Sequence, residues 1–213
     1  MFWKSNLSSR RVSDRYLPRL SAPCMSQNDQ EIRRAMITDA PRIARVHVKS
    51  WLETYTGIVP DEILAALSVS RRTLAWERIL RDPINHDNSV VYLKVVGDVI
   101  AGFGACGEQR DVNLKGQGFD GEIGAIYVLQ QFQRLGTGRA LMRALADELV
   151  GRGSHGIALW VLRENTPARH FYEKCGGEIV GERKDVRGQA VLTEVAYGWR
   201  DINVLQPLRS DRK

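Results

Sequence analysis

Long apolar runs, cysteine pairs and clustered histidines are all missing from this chain of 213 residues. No hydrophobic stretch approaches the ~18 residues needed to cross a bilayer, so the sequence excludes a membrane protein. Cys24, Cys106 and Cys175 are widely spaced and form no CxxC pair, which argues against a disulfide framework and favours a reducing, cytoplasmic compartment. The four histidines form no HExxH motif or His/Cys cluster, so no metal site is predicted.

The excess of positive charge lies at the two ends of the chain. The formal net charge is +6, yet residues 1–28 hold five basic side chains against one acidic, and residues 209–213 hold three against one. The segment between them is neutral. A nucleic-acid-binding domain concentrates positive charge on its folded surface, so no nucleic-acid partner is predicted.

Residues 1–30 differ in composition from the rest. They are rich in Ser and Arg, poor in acidic residues and without hydrophobic periodicity. They lack the apolar core of a secretory signal, although their composition resembles an organellar transit peptide. Two plainer interpretations are favoured: a disordered extension, or an upstream start codon with Met25 as the true first residue. We expect the folded domain over residues 31–201 and a tail over 202–213.

The domain alternates strands and helices. Antiparallel hairpins at both ends flank a central β-α-β-α passage, which predicts one α/β domain of the α+β type. Its sheet should be mixed, twisted and mostly antiparallel, with about seven strands flanked by helices. Strands are predicted over Glu31–Met36, Ser89–Val96, Val99–Cys106, Gly121–Val128, Ile157–Leu162, Glu178–Lys184 and Ala190–Trp199. Helices are predicted over 38–51, from Pro60, and over Arg71–Leu80, Gly136–Val150 and Thr166–Lys174, with a loop over Asp111–Asp120.

The most informative segment is EIGAIYVLQQFQRLGTGRALM, residues 122–142, in which a strand runs into a glycine loop and then a helix. Gly136 and Gly138 let the backbone approach a ligand closely. The first N–H groups of the helix are unpaired, and they favour an anion such as phosphate. Arg134 and Arg139 add positive charge beside the glycines.

Two common phosphate loops do not fit this segment. The chain has no Gly-Lys pair, which a Walker A loop requires. Leu141 stands where a GxGxxG dinucleotide loop needs its third glycine. On the glycines alone, a simple turn with two solvated arginines remains an open alternative.

Two motifs together resemble the GCN5-related N-acetyltransferase (GNAT) family. QRLGTG at 133–138 matches that family's Q/R-x-x-G-x-G/A loop, and the preceding EIGAIYV looks like its fourth strand. The segment 165–177, NTPARHFYEKCGG, resembles its second motif, N-x-x-A-x-x-F-Y-x-x-x-G-F. The resemblance spans residues 31–200. The chain departs from it at Gln130, often proline in the family, and at Gly177, often phenylalanine, and neither position supplies a reactive group.

The resemblance implies acetyl-coenzyme A as co-substrate. The loop would hold the pyrophosphate through backbone N–H groups. The main chain of Ile126 and Val128 would pair with the pantetheine arm, and the Val128 N–H would polarise the thioester carbonyl. Asn165 would bind pantetheine, with a helix cap as the alternative. The implied coenzyme-binding residues are Ile126, Tyr127, Val128, Gln133, Arg134, Leu135, Gly136, Thr137, Gly138, Arg139, Asn165, Ala168 and Tyr172, and Arg169 is a further phosphate candidate with a solvated alternative.

Direct transfer to an amine needs a base and an acid. By resemblance Tyr172 is the candidate acid, with a merely buried tyrosine as the alternative. Glu122 is the candidate base, acting directly or through a water. Strand alternation predicts that Glu122, Gly124 and Ile126 share one face. Glu108 is the reserve base.

The sequence predicts the acceptor-binding residues less specifically than the coenzyme-binding residues. The resemblance points to Trp51, Glu53 and Tyr55, although the helical spacing favours Trp51 as a core residue. The acceptor is expected to be a primary amine of a small molecule or peptide. A non-catalytic acyl-coenzyme A-binding or sensing module is the alternative function. A homodimer stays open, with the strand Ala190–Trp199 as a possible edge.

Overall fold

One sheet organises the structure, a computed structural model that describes residues 30–187 and 190–205. The described residues form seven strands: β1 Gln30–Arg34, β2 Val90–Val96, β3 Val99–Glu108, β4 Gly121–Val128, β5 Ile157–Leu162, β6 Glu178–Arg187 and β7 Ala190–Trp199. Their order is β1-β2-β3-β4-β5-β7-β6. Neighbouring strands are antiparallel except β4 and β5, which are parallel. The predicted mixed, mostly antiparallel sheet is therefore confirmed.

The strand order corrects one expectation. Strand β7 lies between β5 and β6, so within the described residues the sheet edges are β1 and β6. The prediction that Ala190–Trp199 supplies an edge for dimer formation is therefore wrong.

The α-helices of the described residues are α1 Ala40–Tyr55, α2 Asp61–Ala65, α3 Val69–Arg81, α4 Val112–Gly116, α5 Thr137–Gly151 and α6 Thr166–Lys174. Helix α1 begins two residues after the predicted Thr38, because Ile37–Asp39 form a 3-10 turn. Asp39 accepts hydrogen bonds from the Met36 N–H (2.9 Å) and from the Arg33 guanidinium (2.7 and 2.9 Å), which fixes this turn. Among the described residues, no helix combines the length and the apolar character that crossing a membrane requires.

Helix α4 corrects the loop predicted over Asp111–Asp120. The Asp111 carboxylate caps it by accepting hydrogen bonds from the Asn113 and Leu114 N–H groups (2.9 and 3.2 Å). Leu114 is buried beside Phe119 against the sheet. The helix forms because one cap and one buried leucine hold a segment that is too short to show periodicity.

Hydrophobic clusters cover both faces of the sheet. Helix α5 packs Leu145 and its neighbours on one face, together with Tyr197 and Trp199 of β7. Helices α1 and α3 pack on the other face around Phe103. The core extends past the predicted domain end at residue 201, because Ile202 and Leu205 are buried in the α5 cluster. The predicted extension (apart from Gln30), the tail beyond 205 and residues 188–189 lie outside the described residues.

The parallel pair β4–β5 is held together only at its beginning. Its register consists of Gly121 opposite Ile157 and Glu122 opposite Ala158. Beyond these two pairs the strands diverge, although β4 continues to Val128 and β5 to Leu162. The sheet therefore has an opening at its centre, between the carboxyl-terminal parts of the two strands.

Candidate active site

Peptide groups of β4 face this opening. The Leu129 N–H donates to the Ala101 carbonyl (3.0 Å), so Leu129 belongs to a hydrogen-bonded pair with β3. Pairing alternates along an antiparallel ladder, and Ile126 and Val128 consequently direct their peptide groups toward β5. The Gln133 side chain donates to the Val128 carbonyl (3.0 Å), which agrees with that orientation.

The glycine loop leads directly into α5. Gly136, with φ 83°, precedes the first helical residue, and no side chain caps the helix. The first i to i−4 hydrogen bond at this end runs from the Ala140 N–H to the Gly136 carbonyl (2.9 Å). The N–H groups of the three helical residues before Ala140 therefore have no acceptor within the helix, and the first turn holds no acidic residue. Such a helix end attracts an anion.

The second motif packs against the loop. A Cβ placed on Gly138 would lie 3.4 Å from the Phe171 ring of α6, so α6 comes close to the start of α5. Asn165 is buried and caps α6 by accepting a hydrogen bond from the Ala168 N–H (3.3 Å). The alternative role given to Asn165, a helix cap, is therefore present. Arg169 donates to the Tyr197 hydroxyl and the Arg163 carbonyl (3.2 Å each), and so is held at the surface of α6.

Tyr172 lies in the core beside this motif. It is 8% exposed and contacts the rings of Phe171, Tyr197 and Trp199. Burial, reinforced by the nearby Tyr127 phenol, raises the pKa of Tyr172 above its ordinary value. The phenol therefore remains protonated at neutral pH and can act as a proton donor.

Glu122 is buried and held by one arginine. The backbone N–H and the Nε of Arg110 donate to its Oε2 (3.1 and 3.0 Å), and Nη2 donates to its Oε1. The hydrogen bond to Glu122 raises the pKa of the Arg110 guanidinium. Sequence reasoning missed Arg110, because the pair depends on the register that sets the end of β3 opposite the start of β4.

A β-bulge corrects the face predicted for Glu122. In the β3–β4 register Cys106 lies opposite Ile123 and Ala105 opposite Ala125, so Gly124 has no partner. The extra residue reverses the alternation after it, and Ile123 and Ile126 pack into the same α5 cluster. Glu122 instead shares the α1/α3 face with Ala125 and Tyr127. The prediction that Glu122 and Ile126 share a face is wrong.

Comparisons with known proteins agree with this arrangement of loop, opening and helices. A family model described as the acetyltransferase (GNAT) family matches residues 50–177. The chain belongs to the GNAT family.

Similar proteins extend over most of this GNAT chain. It is 33% identical over 178 residues to a protein named as the uncharacterized N-acetyltransferase YuaI of Bacillus subtilis, covering 83% of this chain and 96% of the relative. It is 24% identical to a spermidine N(1)-acetyltransferase of Thermoplasma acidophilum, covering 78% and 97%. The crystal structure of PaiA N-acetyltransferase from Thermoplasma acidophilum, in complex with coenzyme A, shares the fold with a TM-score of 0.59 and 22% identity, covering 78% of this chain and 97% of that one.

The GNAT domain also contains a cavity on the α1/α3 face of the sheet. Its volume is about 170 Å³, and Glu122 and Tyr127 line it from β4. The reserve base Glu108 lines it as well and accepts a hydrogen bond from Asn88. Because Glu122 belongs to this cavity, a ligand in it would lie beside the candidate base.

His47 of α1 lines the same cavity in one defined tautomer. The indole N–H of Trp76 donates to its Nδ1 (3.2 Å), so the neutral ring carries its proton on Nε2. Burial, with a smaller contribution from the Arg72 charge, lowers the pKa of His47 to about 3. Its Nε2 is buried and has no hydrogen-bond partner among the described residues. His47 is therefore a buried donor without an acceptor among the described residues. A group left unsatisfied in this way costs about 1–3 kcal/mol of stability.

The three predicted acceptor residues lie near one end of α1. Trp51 is buried in a core cluster with Tyr55 at its edge, and the two rings are 4.7 Å apart. Burial raises the pKa of Tyr55, as do the phenols of Tyr127 and Tyr172. Glu53 accepts a hydrogen bond from the Gln130 N–H (2.8 Å), beside Lys49 at 3.8 Å. Trp51 thus belongs to the core, as its spacing favoured, and Glu53 holds the turn after β4.

Proposed function

We propose that this protein transfers the acetyl group of acetyl-coenzyme A directly to a primary amine of a small molecule or peptide, without an acyl-enzyme. The observation that carries the proposal is the opening between β4 and β5, which lies beside the uncapped start of α5. The helix start suits an anion, and the strand offers peptide groups to an extended chain. Acetyl-coenzyme A has a pyrophosphate followed by an extended arm that ends in a thioester. The odd number of cysteines supports the cytoplasm as its compartment.

The loop residues are assigned to the pyrophosphate. Backbone N–H groups over residues 134–139, including those of Leu135 and Thr137, supply the hydrogen bonds, and Arg134 and Arg139 supply positive charge. The Gln133 N–H already donates to the Gln130 carbonyl (3.2 Å), so Gln133 contributes by shaping the loop. Support comes from the positive φ of Arg134 (60°) and of Gly136 (83°), which turn the chain sharply ahead of the helix.

The two diverging strands are assigned to the arm of the coenzyme. The peptide groups of Ile126 and Val128 bind it from the β4 side, with Tyr127 between them, while Asn165 and Ala168 border it from α6. The Val128 N–H is assigned to the thioester carbonyl, where a fixed donor stabilises the developing oxyanion. The alternation of hydrogen bonds along β4 supports this assignment.

Glu122 and Tyr172 are assigned to the two proton transfers. The Oε1 of Glu122 accepts one hydrogen bond from Arg110 and keeps a lone pair, with which it removes a proton from the ammonium through a water. The amine nitrogen then forms its bond to the carbonyl carbon, and the C–S bond breaks. The departing thiolate takes the proton of Tyr172, and the second proton of the attacking nitrogen passes through water to the tyrosinate. Glu122 then releases its proton to solvent, which leaves the amide, the thiol and one proton as products.

Calorimetric titration of the purified chain with acetyl-coenzyme A tests the first part of the proposal, with NAD and ATP as controls. Selective binding is expected, and absence of binding by the folded protein would contradict the loop assignment. Thiol release on addition of amines tests transfer, and intact-mass measurement without an acceptor tests for an acyl-enzyme. A non-catalytic coenzyme-binding module predicts the same titration without thiol release.

Substitution of Tyr172 tests the proton donor. We expect Tyr172→Phe to lower kcat about 10²- to 10⁴-fold, the usual contribution of a general acid, with little change in acetyl-coenzyme A affinity. Tyr92→Phe is the matched control, because the Tyr92 hydroxyl bonds to Glu148 (2.9 Å) on α5, away from the opening. Equal rates for the two variants would remove Tyr172 from the mechanism.

A further inference from the structure

We infer that the cavity between α3 and β4 binds a carboxylate, so that the acceptor is a small primary amine that also carries a carboxylate group. The inference rests on the proposed function and narrows its substrate class. Arg72 and His47 hold the carboxylate, and neither takes part in the proton transfers described above.

One face of α3 points to a charged ligand. Arg72, Ala75, Trp76 and Ile79 line the cavity, and their spacing of three and four residues places them on a single helix face. The face is apolar except for Arg72. Arginine is rarely found on such a face without an acidic partner, since removal of its charge from water is costly.

Arg72 has no acidic partner in the part of the chain that the structure describes. The carboxylates that line the cavity are engaged elsewhere: Glu122 and Asp87 both face Arg110, and Glu108 accepts from a side-chain amide. Burial is the main cause that lowers the pKa of the Arg72 guanidinium, which still remains charged at neutral pH. The site therefore has a half-buried cation that an anionic ligand would compensate.

His47 supplies a second, independent reason to expect an acceptor atom. Its side chain lines the cavity, the residue is 7% exposed, and Trp76 fixes its proton on Nε2. That N–H has no acceptor among the described residues. A carboxylate oxygen would satisfy it, whereas an ammonium or a hydrocarbon would not.

The remaining walls suit the amino group and the size of such a ligand. Glu122, the candidate base, lines the same cavity and faces an amine there. The volume of about 170 Å³ exceeds the ~150 Å³ of a known protein cavity that takes up benzene. A polyamine, as named for the Thermoplasma relative, carries no anion and would leave Arg72 uncompensated.

The test compares acceptors that differ only in the carboxylate. Turnover of acetyl-coenzyme A is measured with the L-amino acids, with the corresponding amino-acid amides, and with spermidine, for wild type, Arg72→Met and Arg72→Lys. Arg78→Met is the control, because Arg78 lies on the same helix with an exposed side chain. Thermal shifts with the same compounds, without coenzyme, give a second readout that does not depend on turnover.

For at least one amino acid, we expect kcat/KM to exceed that of its amide by about 10- to 100-fold, as for a hydrogen bond to a charged group. Arg72→Met should bring this ratio to about one, with kcat/KM for the amide unchanged. Arg72→Lys should keep part of the preference for the amino acid, and Arg78→Met should keep all of it. The carboxylate site would be overturned, but not acetyl transfer, by either of two results. One is a kcat/KM for the amides or for spermidine that equals that for the amino acids. The other is an equal fall in kcat/KM for the amino acid and its amide in Arg72→Met. Carboxylate-specific thermal shifts that Arg72→Met removes, without acetyl-coenzyme A binding, would uphold the site and refute the proposed function. No turnover and no shift would refute both.

Discussion

Replacement of Glu122 by glutamine gives the most direct view of the reaction chemistry. The variant keeps the size of the side chain but removes its charge and one of its two acceptor oxygens. Glu122 now receives three hydrogen bonds from Arg110. A glutamine would accept on one oxygen only, and its amide N–H₂ would face an arginine donor.

Two separate effects are expected, one on turnover and one on stability. Loss of a general base lowers kcat about 10²- to 10⁴-fold, which corresponds to about 2.7–5.4 kcal/mol. Loss of a hydrogen bond to a charged group costs about 1.5–3 kcal/mol of stability, and the lower end applies because the Arg110 side chain is 50% exposed. For a domain of this length that lowers Tm by roughly 3–6 °C. Acetyl-coenzyme A affinity should hardly change, because Glu122 lies on the α1/α3 face of β4.

Steady-state kinetics, calorimetry and thermal denaturation of the same preparation separate these effects. Glu108→Gln is the matched control, since Glu108 lines the same cavity but is exposed, and its side chain bonds only to Asn88 among the described residues. A fall in kcat of less than tenfold for Glu122→Gln, or an equal fall for Glu108→Gln, would refute Glu122 as the base. Loss of acetyl-coenzyme A binding by Glu122→Gln with the fold intact would contradict the expectation that the α1/α3 face of β4 does not contribute to coenzyme binding.

Three further substitutions test the fold around the site. Gly136→Ala should cost about 1–2 kcal/mol and lower Tm by about 2–8 °C, because Gly136 has φ 83° and nothing lies within 4 Å of the added methyl; an unchanged Tm would contradict this. Leu114→Ala should cost about 2–5 kcal/mol in urea denaturation, since Leu114 is 1% exposed, whereas a loop position would cost almost nothing. The hydrogen bond from Arg33 lowers the pKa of Asp39, so its stabilisation is present above pH ~4 and disappears as the pH falls further. Asp39→Asn should therefore lower the stability of the protein at pH 7 but not near pH 2. An equal loss of stability at both pH values would exclude the charge of Asp39 as its cause.

The sequence predicted the fold best where the hydrophobic pattern agrees with the positions of the turn and capping residues. The predicted bounds of β4, β5 and α6 match the structure, because glycine or a capping residue marks an end of each element. Strand β6 runs to Arg187, three residues beyond its prediction, since polar residues continue its pairing with β7. Pairing of this kind depends on the partner strand, and the local sequence does not reveal it.

The corrections at α4 and β4 have different causes. A five-residue helix such as α4 has no measurable period, and the available signal was the pair Asp111 and Leu114, a cap followed three residues later by a buried side chain. The bulge at Gly124 depends on register with β3, so alternation along β4 alone placed Glu122 on the wrong face.

Residues that meet only through the fold could not be found from spacing. Trp76 and His47 lie 29 positions apart and belong to different helices, yet one hydrogen bond fixes the tautomer of the histidine. Arg72 is visible in sequence as one of several arginines of α3. Only the packing of that helix on the sheet distinguishes it from its exposed neighbours.

The brief contact between β4 and β5 also has a consequence for the lifetime of the protein. Two register pairs fasten one half of the sheet, β1 to β4, to the other, β5 to β7. A ligand bound between them would contact both halves and stabilise the folded protein by RT ln(1 + [L]/Kd), about 2.7 kcal/mol at a hundredfold excess over Kd. Proteolysis of the opened form should slow correspondingly, so we expect the protein to persist longer when that ligand is abundant.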